Sequence, residues 1–517
     1  MRAYTTINFN MYDTSSKDVA TVIAQGSQTD ADHLLTDVID SANYASTEHN
    51  EFLQDGSYTF LESGMPTGFY SDTVSKRDGT MEQSNVIVFT FSQSISTIGV
   101  TLYFPKDEYP EQIRIKWYEG NMVLDSKLFY PDNMVFVCRN SVENYDKLEI
   151  EFLSLQNAGH YIKLAGIQFG CVLEFGIDKL IKASLMQEVD LLSDEIPISS
   201  LEFDLEDKEG RFNVTRDGNL FFAAQEGQEI IVNVKLPVNG EQKDIFIGKY
   251  YLEEISNKTI TASFKAQDII GLLDGETVPD KYYNTTFSAF CEDVLSGYEY
   301  VIEDEELNDI TIKGYLSSCS KREALQQACF VAGAIATSKG SDKLRIYMPF
   351  EGDVSMLADD QIYAGGHVKS VQPYKTMDIT VHTFDRSGED TPSERSIVLN
   401  RRGGGTISIS EACFVNADNV DDVIERLKAH YSQKVTYELS MPLEIYYELG
   451  SEMMAYLNDP NMYIRGKLSR LNVNLTGGFR ADMTIEGNVK TVTAGAYAGE
   501  LYAMDALGGD LMGGGIS

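Results

Sequence analysis

The sequence predicts a mainly β chain of the α+β class: two β-barrels around a small α/β subdomain, with an antiparallel β-sandwich towards the N-terminus. Three observations lead there. Period-two alternation of apolar and polar residues recurs along most of the 517 residues. The composition is rich in Tyr (29) and Phe (25) and poor in Pro (12), which favours pleated, half-buried strands. Strong helical periodicity with capping signals is concentrated in one stretch, between two blocks of strands.

The clearest alternation runs from Asp244 to Gly275. Phe246, Gly248, Tyr250 and Leu252 share one face, and Ile260, Ala262, Phe264 and Ala266 alternate with Thr259, Thr261, Ser263 and Lys265. Ser256-Asn257-Lys258 supplies the turn of a hairpin. Asp268 stands where an N-cap belongs, ahead of Ile269, Ile270, Leu272 and Leu273, and Gly275 stops the short helix. This hairpin and helix are expected to close a barrel.

From the N-terminus, Thr5 to Asn10 reads as one strand and Asp30 to Ala42 as a short amphipathic helix through Leu34, Leu35, Val38 and Ile39. Strand-sized runs with turns such as Tyr118-Glu119-Gly120-Asn121 then follow to about residue 170, the spacing of an antiparallel sandwich. Its aromatics Tyr70, Tyr103, Trp117 and Tyr118 have two readings: sugar-stacking rings of a binding module, or core and strand-pair residues. Further on, Ile181, Ala183 and Leu185, then Leu201, Phe203 and Leu205, alternate as half-exposed strands. Asn239-Gly240 is a hairpin signal.

Thr286 to Leu295 reads as a helix, and Ser320-Lys321-Arg322-Glu323 is a capping box opening a second one through Ala334. Met377, Ile379, Val381 and Thr383, Ser396–Leu399 and Thr406–Ile409 read as strands of a second barrel, and Asn419 as the cap of a helix carrying Val420, Val423, Leu427 and Tyr431. Leu471, Val473 and Leu475 turn at Gly477-Gly478 into Ala481, Met483 and Ile485. The Gly/Ala-rich end has two readings, a disordered tail or a segment ordered by threading a neighbour.

A formal net charge of −37 argues against a surface that grips DNA or anionic lipid, which needs clustered Lys and Arg. Sequence-specific nucleic-acid binding is therefore not expected. The six cysteines lack CxxC spacing and are expected to be buried free thiols. No apolar export segment opens the chain, and the longest apolar run, around Cys329–Ala336, is too short for a membrane span. The histidines His33, His49, His160, His367, His382 and His430 stand isolated, with no HExxH, GxSxG or phosphate-loop motif. The acidic run Glu202, Asp204, Glu206, Asp207 and Glu209 lacks the ligand order of a calcium loop. No catalytic residue, metal site or cofactor is expected, and the chain is expected not to be an enzyme.

Several pieces in order resemble the tail hub proteins of phages and phage-like injection systems. They are the ISSxEFxLxD run at Ile198–Asp207, the FxGxYxLxxI strand at Phe246–Ile255, TITASFxAxD at Thr259–Asp268, and the capped helix REALQQxxxxAGA at Arg322–Ala334 followed by LRIYMP. The resemblance covers about residues 172–490. With it, the expected division is 1–50, an N-terminal segment pairing with the hub; 51–171, a jelly-roll or carbohydrate-binding-like sandwich; 172–275, a first hub barrel; 276–350, the small α/β subdomain; 351–490, a second hub barrel; and 491–517, the tail.

The resemblance implies a structural homotrimer in the virion, made in the host cytoplasm. At the distal end of the tail it would adapt a sixfold tube to a threefold tip. The implied partners are the tail-tube or distal tail ring, the tape-measure protein and tip or fibre proteins. The alternative from another class is a host-attachment adhesin that binds a surface glycan through the sandwich.

Overall fold

The computed structural model describes residues 3–40, 42–48, 58–216, 219–238, 241–349, 354–357, 362–363, 366–370, 373–432, 435–443, 447–457 and 462–491. The Asn239-Gly240 turn and the tail beyond residue 491 lie outside the described residues. Among the described residues strand accounts for 52% and helix for 12%, so the fold is mainly β.

One rolled sheet of 13 strands forms the backbone of the molecule. Its first seven are Gly170–Phe175, Tyr4–Tyr12, Glu229–Val238, Glu241–Asn257, Thr261–Gln267, Ser200–Glu206 and Leu180–Glu188, in spatial order. Leu180–Glu188 then pairs with Met462–Asn474, where Leu185 lies opposite Val473, and the sheet continues through Arg480–Thr491 and Val435–Pro442 to His367–Ser370. Glu452–Tyr456 and Ser355–Leu357 branch off Met462–Asn474. The two lobes are thus joined edge to edge, and their inward residues form one continuous core.

The N-terminal strand is internal to this sheet. Ile7, Phe9 and Met11 alternate inward, and both backbone edges are used: Ile7 lies opposite Phe175 on one side and Val232 on the other. The sandwich is therefore inserted in sequence between two neighbouring strands of the rolled sheet.

The hairpin read from residues 244–268 forms, with Leu252 opposite Ala266 and Ile255 opposite Phe264. Asp268 caps Ile269–Asp274 by accepting a hydrogen bond from the Ile270 amide, and Gly275 ends the helix. Behind it, Lys321–Ala332 carries a complete capping box. Ser320 Oγ accepts from the Glu323 amide at 3.1 Å, and Glu323 Oε2 accepts from the Ser320 amide at 3.0 Å. Because these bonds satisfy two otherwise orphaned amides, Ser320→Ala is expected to cost about 1 kcal/mol in urea unfolding.

Three stretches depart from the sequence expectation. Met377, Ile379 and Val381 do not join the rolled sheet: Thr376–Val381 pairs with Ser393–Val398 and Thr406–Ile409 in a sheet of three. With Phe414, Val420, Val423 and Leu427 they share a core with Phe287, Phe290, Leu325 and Cys329 of the α/β subdomain. Alternation reports which face is buried, not against which sheet.

Asn419 precedes the helix Val420–Tyr431 without capping it. Its amide group is turned back to brace the preceding loop, donating to the Phe414 carbonyl and accepting from the Asn416 amide. The expected helix 30–42 is only a single tight turn, Ala31–Leu35. Leu34 enters the sandwich core while Val38 is left 66% exposed, so the apolar residues do not share one buried face.

The sandwich itself has unequal layers. Ala20–Ala24, Thr80–Tyr103, Val135–Leu155, Pro110–Glu119 and Met122–Phe129 make the larger sheet, with Gly166–Gln168 on Thr80–Tyr103; Phe69–Val74 and Tyr161–Leu164 cover it. Ile87, Phe89, Trp117 and Phe152 of the larger layer meet Phe69, Ile162 and Leu164 of the smaller one.

Candidate functional site

The four sandwich aromatics do not form an open ring platform. Trp117 is fully buried, and its indole nitrogen has no hydrogen-bond partner among the described residues. Tyr70 is 1% exposed, packs edge-on to Tyr44 at 6.1 Å, and burial pushes its hydroxyl well above the usual range. Tyr118 donates to Glu149 at 3.0 Å and carries the Lys147 ammonium 3.9 Å from its ring centroid. Tyr103 is half-buried and lies beside the Tyr12 hydroxyl, whose titration burial and this neighbour together push upwards. That contact ties the sandwich to the N-terminal strand of the rolled sheet. Stacking on a sugar needs a free ring face, and among the four only Tyr103 and Tyr118 are even half-exposed.

The acidic run at Glu202–Glu209 lies on a paired strand and its turn. Glu202 stands opposite Lys265, and Asp204 opposite Lys182. Asp207 is buried and accepts from the Arg211 and Phe212 amides, closing the turn. His382 is committed on both sides, with Nδ1 2.7 Å from Asp390 and Nε2 3.2 Å from the Ser410 carbonyl. Neither ring nitrogen faces a nucleophile.

Sequence reading missed one constellation. Glu48, Glu108 and His160 bring donor atoms within 4.8 Å of one another. His160 Nδ1 lies 3.2 Å from both Glu108 oxygens. The positive centre among them is Lys163, 1% exposed, whose Nζ is 3.1 Å from Glu48 and 3.4 Å from Glu108. These groups are capable of metal binding, but an ammonium already sits between the two carboxylates. The four come from three separate parts of the chain, His160 and Lys163 being three residues apart, so no local motif marks the whole set. The one local hint is a lysine inside the apolar closing strand YIKL.

The margins of the rolled sheet are the other feature with functional content. His367–Ser370 pairs only with Val435–Pro442, and its outer edge has no strand beside it among the described residues. All four of its residues are exposed, Val368 at 40%. Unpaired backbone groups next to an exposed valine are a template for strand addition.

No known family profile matches the chain, and no curated protein matches it. Solved structures do. The tail protein from Neisseria meningitidis MC58 is similar at 9% identity with a TM-score of 0.45, over 61% of this chain and 93% of that one. The 43 kDa tail protein of prophage MuSo2 from Shewanella oneidensis is similar at 11% identity and a TM-score of 0.41, over 61% and 95%. Prophage tail protein gp18 from Listeria monocytogenes EGD-e is similar at 12% and 0.38, over 66% and 97%. All three are described as tail proteins. The likeness is one of fold, and no residue role passes across it.

Proposed function

We propose that this chain is a structural hub of a phage or phage-like tail, and that three copies close into a ring adapting a sixfold tube to a threefold tip. The observation that carries this reading is the single sheet made of two lobes, seven strands and six, with an exposed margin at His367–Ser370. Three subunits of two lobes present six lobes, which is how a threefold body can meet a sixfold partner. Strand addition between copies would satisfy the margin. The tail-tube or distal tail ring, tape-measure and tip proteins are the partners this role requires, and the virion's distal tail its location. The hub's work is done by assembly.

Sedimentation equilibrium tests this reading. The wild type is expected to be trimeric at micromolar concentration. Val368→Lys, which places a charge on the margin, is expected to yield monomers that melt as the isolated wild-type subunit does. A wild type that stays monomeric at every concentration, and that binds glycan through the sandwich, would replace the hub reading with that of an adhesin.

A further inference from the structure

We infer that the buried cluster in the sandwich is a self-acting cross-linking site, in which the Lys163 amine and the Glu48 carboxyl condense to an intramolecular isopeptide bond.

The required parts are present and their positions match the chemistry. The nucleophile is Lys163 Nζ, 3.1 Å from Glu48 Oε2. The electrophile is the Glu48 carboxyl carbon. Its Oε1 accepts a hydrogen bond from the Tyr161 amide at 2.5 Å, a donor placed where negative charge develops in an acyl transfer. Its Oε2 accepts from the Ser46 hydroxyl, which helps that oxygen depart. Glu108 Oε2, 3.4 Å from Nζ, is the proton carrier, and His160 Nδ1 holds Glu108 in place from the other side.

The surroundings exclude water. The Lys163, Glu48 and Glu108 side chains are 1%, 0% and 8% exposed, and the Tyr70 ring centroid lies 5.9 Å from Nζ. The flanking Ile162 and Leu164 are fully buried. A dry interior disfavours an ammonium and a carboxylate separately, and even a pair recovers its desolvation cost incompletely. Condensation replaces both charges with a neutral amide.

The step balances without an oxidant or a cofactor. Glu108 takes a proton from the Lys163 ammonium, and the freed lone pair attacks the Glu48 carbon to form the C–N bond. Glu108 returns its proton to Oε2. A second proton from the nitrogen follows, and the C–O bond breaks to release one water. The ion pair thereby becomes an amide plus water. The bond would fasten the segment that follows Ala20–Ala24 to the strand Tyr161–Leu164, so a pull on the sandwich would bypass most of its strands.

Mass spectrometry of the denatured full chain decides the matter. The wild type is expected to be lighter than its sequence by one water, and proteolysis is expected to give a branched peptide joining Glu48 to Lys163. Lys163→Met and Glu108→Gln are expected to show the full sequence mass. A folded wild type, recognised by the buried-type fluorescence of Trp117, that keeps its full mass after prolonged incubation would overturn the proposal. So would a water loss that survives in Lys163→Met. The wild-type mass is informative even if a variant fails to fold.

Discussion

Phe264→Ala is expected to destabilise the rolled sheet by about 3–5 kcal/mol, the cost of emptying a large buried aromatic site. Phe264 is 1% exposed and is the centre of a ring cluster. Phe203 stacks on it with centroids 4.6 Å apart and planes 2° from parallel. Phe212 meets it edge-on at 5.1 Å, and Phe9 does so at 6.0 Å. Those rings come from separate segments, so alanine leaves a cavity that no single neighbour can fill. Phe9 carries the N-terminal strand, whose hold is expected to weaken with it.

The measurement is urea unfolding followed by far-UV circular dichroism. Trp117, the only tryptophan, lies in the sandwich core and provides an internal control. Its fluorescence transition is expected to move less than the dichroism transition. A loss below about 1 kcal/mol would mean that the cluster repacks freely, contrary to its geometry.

Asp268 is expected to make stability fall as pH rises from about 4 to about 6. Burial holds its carboxyl up at about 6, against an ordinary 3.8, although Ser338 donates to it at 2.8 Å and the Ile270 amide at 3.2 Å. Below pH 3.8 both the folded and unfolded chains hold the proton, and the group contributes nothing to the difference. Between the two values only the folded chain holds it, so each step up in pH favours unfolding. Above about 6 both states are ionised and the full penalty applies, roughly 3 kcal/mol at 1.36 kcal/mol per unit.

With its many other carboxylates, the chain has a pH dependence of its own, so the test is a difference. Asp268→Asn retains an oxygen for the cap and cannot ionise. It is expected to gain on the wild type steadily through that window and to hold a constant advantage above it. Parallel curves for the two proteins would contradict the assignment.

Much of the local structure is legible in the residues. The hairpin ending at Asp268 and the Ser320–Glu323 box use short-range rules, in which alternation and capping refer to residues a few positions apart. What is not legible involves partners far away in sequence. Nothing in Tyr4–Tyr12 says that it lies between Gly170–Phe175 and Glu229–Val238. Nothing in Met377, Ile379 and Val381 says that they face the α/β helices and not the rolled sheet.

The cluster at Glu48, Glu108, His160 and Lys163 is illegible for the same reason: His160 and Lys163 are neighbours, but both carboxylates reach them by long-range contact. The sandwich aromatics show the converse limit. The sequence left Trp117 and Tyr118 under the same two readings, and nothing local shows that one is core while Lys147 covers the ring of the other.

The internal position of the first strand bears on how the protein is made. Ile7 must wait for Val232, its partner 225 positions later, to leave the ribosome. At roughly 5–20 residues per second that delay is about 10–45 s, during which the sandwich is completely synthesised and free to fold. The earliest-made strand therefore gains its second neighbour only when residue 232 of 517 has been made, and until then its apolar face needs shelter, from a chaperone or from the sandwich that has folded beside it.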